Sequence, residues 1–226
     1  MRRILAVAAV GAVLLGMPLA VFADTTVTVD PSATWNGYVN VSELPSNGGA
    51  YLWGSGWGLD ALSAVFSPPT LTLGPATVDD PAEYWYVGGG APGAAGNKNM
   101  EANLYVEVTD SLSGQVVTFN GTVLTDTMVD PYDSYVFIKD FAADYSSFNQ
   151  VLVPVVPGPF SVSLATDAGA GRHVQYGFQT IGPNVWPTDV DSKGHVVIEA
   201  VPEPASVLLI GMAVLAVGMI GRRRAR

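Results

Sequence analysis

Between its two apolar ends the chain is written in short runs that alternate apolar and polar residues, punctuated by Gly, Pro, Asn and Asp. In 103–108, Leu104, Val106 and Val108 recur at every second position. In 115–124, Val117, Phe119 and Val123 do the same, and 160–164 alternates throughout. Side chains two apart share one face of a strand, whereas a helix would need a period near 3.6. The runs 25–29, 38–41, 83–87, 134–141, 174–178 and 196–198 read the same way, and no long stretch has helical periodicity. Strands that follow one another without helices bury their apolar faces by stacking two sheets. The expected fold is therefore all-β, an antiparallel β-sandwich, with a jelly roll preferred over an immunoglobulin-like order whose Cys-Trp-Cys signature is missing.

Residues 24–200 are enough for one domain with a real core. Two stretches read as long loops: the glycine-rich 88–96, and 47–62, where Tyr51, Trp53 and Trp57 stand among glycines. The stretch 59–66 fits a short helix or a strand equally well. The chain has no cysteine, so disulfides, thiolate metal sites and cysteine nucleophiles are excluded. Within 24–200, nineteen acidic residues face only Lys98, Lys139, Arg172 and Lys193, a net charge of −15. Such a surface is a poor partner for nucleic acid, whose phosphates need Lys and Arg.

The residues that could carry chemistry are sparse. His173 and His195 are the only histidines, and neither lies in a His-Glu-x-x-His pattern. No Gly-x-Ser-x-Gly elbow occurs. The expectation is a protein that is not an enzyme. Asp189-Val190-Asp191 offers alternating oxygen donors of the kind that suit a hard cation, and Ca²⁺ is the ion such a loop would take. Trp53 and Trp57, set in Trp-Gly-Ser-Gly-Trp, are the candidate carbohydrate contacts, because flat aromatic faces suit sugar rings.

The two ends are addresses. Met1-Arg2-Arg3, an apolar stretch and Val21-Phe22-Ala23 make a secretory signal peptide over 1–23. At the other end, Pro202-Glu203-Pro204 precedes an apolar run, 205–221, followed by Arg222, Arg223, Arg224 and Arg226. As a helix the run spans roughly 25 Å, the short end of what crosses a hydrocarbon core. The arginines act as a stop-transfer cluster that holds the C-terminus in the cytoplasm. The two prolines keep the motif extended.

This order, Pro-Glu-Pro, apolar helix and basic end, resembles the PEP-CTERM sorting signal of exopolysaccharide-producing Gram-negative bacteria, over 201–226. The resemblance implies an exosortase partner that recognises Pro202-Glu203-Pro204 and removes the tail. It also implies a membrane-anchored intermediate before release to the cell surface or extracellular matrix. The function expected is that of an exported noncatalytic surface or matrix protein. One alternative is a carbohydrate-binding module for exopolysaccharide, and a further one a polysaccharide-active hydrolase or lyase. If the leader reading is right, N-terminal sequencing of the mature protein begins at Asp24; a sequence starting at Met1 refutes it.

Overall fold

The computed structural model describes residues 23–200 as twelve strands in two six-stranded sheets. In chain order they are β1 (Ala23–Thr28), β2 (Trp35–Glu43), β3 (Tyr51–Trp57), β4 (Ala64–Ser67), β5 (Thr70–Leu73) and β6 (Lys98–Thr109). Then follow β7 (Gln115–Asp126), β8 (Asp133–Phe141), β9 (Phe148–Pro154), β10 (Gly158–Ala165), β11 (His173–Pro183) and β12 (Val196–Glu199). The expected leader, apart from Ala23, and the segment beyond residue 200, with the sorting motif, apolar run and arginines, lie outside the described residues. Among the described residues no helix is long and apolar enough to cross a membrane.

The first sheet is built on β7. β10 runs antiparallel along residues 116–123 of β7, while β1 takes 115–120 in parallel and β12 takes 123–126 antiparallel. A strand has two edges, so β1 and β12 must share the edge opposite β10. β5 and then β4 extend the sheet beyond β12. The second sheet has the order β3-β2-β6-β11-β8-β9. The two-sheet, antiparallel-rich expectation holds, with one correction: the β1–β7 pair is parallel.

Alternation decides what the sheets bury. In the second sheet Val39, Met100, Leu104, Phe178, Val136 and Ile138 point inward and are almost fully buried. From the first sheet come Val117, Phe119, Val162, Leu71 and Ile198, equally buried. Phe119 sits at the seam, its ring centroid 5.2 Å from Tyr176 and from Phe160, and 5.5 Å from Phe178. Trp35 extends this aromatic contact to Phe66 on β4 at 5.3 Å.

Two local expectations fail, and one left open is decided. The 47–62 stretch holds strand β3 over most of its middle, and 59–66 ends in strand β4. The alternating 83–87 is not a strand: it is a turn in which Tyr86 alone makes an isolated bridge, to Gly96. Its aromatics serve tertiary packing, for which strand propensity is a proxy.

One end of the sandwich is fastened by charge. Asp140 on β8 is fully buried on the inner side. It accepts hydrogen bonds from Arg172 at Nε (3.0 Å) and Nη2 (2.9 Å) and from the Asp167 backbone N–H (2.7 Å). Arg172 also reaches Asp167 at 3.1 Å, joining β8 to the β10–β11 connection. The Asp140 hydrogen bond is the main cause of the raised Arg172 pKa. Arg172→Ala leaves Asp140 buried without its countercharge, so urea unfolding is expected to show a loss of about 3–5 kcal/mol.

Candidate functional site

The predicted sugar contacts, Trp53 and Trp57, lie on edge strand β3 and face inward. In register with β2, Trp53 is opposite Val41 and Trp57 opposite Gly37, and Val41 is a core residue. The Trp-Gly-Ser-Gly-Trp spacing now has a physical reading. Ser55 shares the tryptophans' face and accepts the Trp57 indole N–H at 2.9 Å. Gly54 faces the other way, where a Cβ would come within 2.9 Å of the Tyr38 ring and 2.7 Å of Asn40 Oδ1. The turn at 83–87 closes over the pair: Trp85 meets Trp53 at 5.9 Å and Trp57 at 6.1 Å, both edge-on. Tyr84 packs on Trp85 at 4.8 Å and accepts the Trp53 indole N–H at 3.0 Å. Lys98, paired with Glu43 at 3.1 Å, holds its ammonium 4.6 Å from the centre of the Tyr84 ring. Trp53 and Trp57 are thus half-buried members of a four-ring cluster that seals one flank of the sandwich.

Asp189 and Asp191 lie in the 3-10 turn Pro187–Lys193. The Asp189 carboxylate accepts the Gly93 N–H at 2.6 Å and the Thr188 hydroxyl at 3.3 Å, so it ties down the glycine-rich loop. Together with Gly93, Asn184, Lys193 and Tyr132, it lines a cavity of about 330 Å³. No group of three or more His, Cys, Asp or Glu gathers anywhere among the described residues.

What the sequence reading missed is the outer face of the second sheet, which alternation alone marks as solvated. Register assembles it in rows across β2, β6, β11 and β8. One row is Tyr38, Asn103, Gln179 and Tyr135; the next toward one end is Asn40, Glu101, Ile181 and Asp133. Toward the other end come Asn36, Tyr105, Gly177 and Phe137, then Glu107, Gln175 and Lys139, then Thr109, His173 and Phe141.

Asn103, 4 % exposed, is the hub of this face. Its Oδ1 accepts from Lys139 Nζ at 2.8 Å and Gln179 Nε2 at 2.9 Å. Its Nδ2 donates to the Glu101 backbone carbonyl at 3.2 Å and carboxylate at 3.3 Å. Glu101 in turn accepts from Asn40 at 3.0 Å. Lys139 is 7 % exposed, 4.5 Å above the Phe137 ring and 4.0 Å from Glu101. Burial lowers its pKa, partly opposed by the Glu101 charge.

Further along, Glu107 accepts from Gln175 at 2.7 Å and from the Tyr145 hydroxyl at 3.0 Å. The Tyr145 ring stacks on His173 with centroids 4.3 Å apart, and His173 Nδ1 meets the Thr109 hydroxyl at 2.9 Å. Tyr145 holds φ at +57°, a conformation L residues adopt at a cost. The only sequence signal for this face was that its outward positions are long amides, acids and tyrosines rather than Thr and Ser.

The cavity beside Asp189 gives a titration test. The Tyr132 ring is buried so tightly against Gly182 that a Cβ there would fall 2.2 Å from it. Burial pushes the Tyr132 hydroxyl up to about 12, against about 10 in an unfolded chain. Above pH 10 the unfolded chain gives up a proton that the fold retains. The Tyr132 contribution is whole below pH 10 and declines by about 2–3 kcal/mol as pH approaches 12. Urea unfolding against pH should show this fall, and Tyr132→Phe should make it shallower, the part that remains coming from Tyr86, Tyr105 and Tyr145, whose hydroxyl pKa values burial also raises.

Comparison with protein families matches residues 200–225 to the PEP-CTERM protein-sorting motif. Comparison with curated proteins and with solved structures finds no match. The match begins at Ala200, directly after β12, at the segment the sequence reading assigned to sorting. The C-terminal segment is therefore a PEP-CTERM sorting signal, the mark of an exported protein sorted by an exosortase.

Proposed function

We propose that this is a noncatalytic component of the cell surface or extracellular matrix of a Gram-negative bacterium. It is exported, held in the membrane by its apolar tail, and released when an exosortase acts at Pro202-Glu203-Pro204. The sorting motif at 200–225 is the observation that carries this reading. The position of the motif is consistent with it. β12 ends at Glu199, and Ala200 is buried, its N–H bonded to the Pro69 carbonyl at 2.7 Å. The folded domain thus reaches almost to the motif, and the mature chain would lose no part of its sandwich on processing.

The repeated passage of the chain between sheets, β6 to β7 to β8 and β9 to β10 to β11 to β12, supports a jelly-roll winding. The acidic domain surface fits a soluble partner of a hydrated matrix.

Replacing Pro202, Glu203 and Pro204 by alanine is expected to make the unprocessed, membrane-associated form accumulate. Immunoblotting of membrane and released fractions checks this; unchanged release overturns the sorting mechanism. A second reading, a carbohydrate-binding role, is favoured by the pre-arranged amide and carboxylate array around Asn103.

A further inference from the structure

The two outer faces of this sandwich are chemically unlike each other. The first sheet turns out Thr118, Asn120 and Thr122 on β7, Ser161 and Ser163 on β10, and Thr70 and Thr72 on β5. Short β-branched and hydroxyl side chains are what a solvated strand face adopts by propensity. The second sheet instead turns out amides, carboxylates, tyrosines and a lysine, with Phe137, Phe141 and Ile181 among them, and sinks several of the polar ones. Asn103, Gln175, Gln179 and Lys139 are all less than 9 % exposed although none faces the hydrophobic core.

Removing such groups from water destabilises a fold unless every partner is supplied, and a Thr/Ser face would have avoided the cost. Here the partners are supplied, and the outcome is a fixed array. Asn103 positions Lys139, Gln179 and Glu101 together, and Glu101 fixes Asn40. Glu107 fixes Gln175 and Tyr145 in the rows beyond. Pre-fixed polar groups lose little entropy when a ligand docks, which is the main economy open to a polar binding site.

We propose that this outer face, from Asn40 and Tyr38 through Glu101, Tyr105 and Gln175 to His173, binds a neutral polysaccharide strand. The inference rests on the carbohydrate-binding reading and moves its site away from Trp53 and Trp57, which look inward. Five rows at about 6.6 Å each make a strip roughly 26 Å long between the outer rows, enough for several sugar rings. Amide donors, carboxylate acceptors and tyrosine hydroxyls alternate along it, matching the hydroxyls of a glycan, each of which both donates and accepts.

Charge selects the class of polymer. The face carries Glu101, Glu107 and Asp133 against Lys139, which is buried and already engaged, in a domain of net charge −15. A polyuronate or a nucleic acid would be repelled, whereas a neutral chain meets no such barrier. The central row offers Tyr105 beside a buried Phe137, and the rows on either side of it are built around amides and a carboxylate, whereas protein interfaces concentrate apolar and aromatic contacts throughout their centre. The sorting tail leaves from β12 in the first sheet, so the strip lies on the sheet that does not carry the tail.

The test is affinity electrophoresis of the full-length chain in mild detergent, in native gels cast with xylan, mixed-linkage glucan, galactomannan or dextran, and with alginate as the acidic comparison. At least one neutral polymer is expected to retard the wild type. Asn40→Ala/Glu101→Ala and, separately, Gln175→Ala are expected to weaken that retardation about tenfold or more, as loss of charge-assisted hydrogen bonds does. Thr118→Ala/Ser163→Ala on the opposite face and Trp53→Phe are expected to leave it unchanged, and thermal unfolding identifies any variant that has lost its fold. Asn40→Ala alone then serves as the milder probe.

Retention of binding in both strip variants, or its loss in Trp53→Phe instead, overturns the assignment while leaving a glycan role standing. Retardation by alginate alone overturns the neutral-polymer assignment. No retardation by any polymer overturns both the strip and the carbohydrate-binding reading, and neither result bears on release of the tail. Wild-type self-association that the strip variants abolish, seen by sedimentation without glycan binding, makes the face an interface between copies and likewise sinks the proposal.

Discussion

Two inner sheet faces must meet without a disulfide to hold them, and they do so around Phe119. Its ring, presented by β7, touches Tyr176 and Phe178 of the opposite sheet and Phe160 of its own. That contact exists only if β7 and β11 each keep their alternation in register over many residues, because a slip of one would turn every side chain to the wrong face. The long pairings of β6 with β11 and β11 with β8 enforce this register, and the same register composes the outer surface. Core and outer strip are two faces of one constraint.

Charge is distributed with similar economy. Of the four cations in 24–200, three are consumed internally. Lys98 pairs with Glu43 and caps the Tyr84 ring, Lys139 is bound into the Asn103 network, and Arg172 neutralises buried Asp140. Their work is to close a flank, fix a surface array and fasten one end of the sandwich. The solvent therefore meets a domain whose exposed charge is almost wholly negative. Such a surface stays dispersed and keeps polyanions away.

Strands with the clearest alternation were legible: 103–108, 115–124, 134–141, 160–164 and 174–178 all lie within observed strands. The two edge strands of the second sheet, β3 and β9, were not. β3 alternates two tryptophans with glycines, and glycine reads as loop until Tyr38 is seen lying across Gly54. β9 is exposed along nearly its whole length, so no buried face imprinted a pattern on it. The segment 83–87 misled in the opposite sense, since its aromatics are there to cover Trp53 and Trp57. The strip around Asn103 was illegible because its members come from four strands separated by up to 141 positions, Tyr38 to Gln179.

The sequence by itself determined the destination and the material: a PEP-CTERM tail at 200–225, no cysteine, an acidic body and a two-fold apolar period that commits the chain to stacked sheets. Those properties are local, carried by adjacent residues. Tertiary structure alone decided that Trp53 and Trp57 look inward, that β1 lies parallel to β7, and that Asn103, Lys139, Gln179 and Glu101 meet. The reason is that strand order and inter-strand register are set by the packing of the whole core, and no single segment encodes which neighbour it will have.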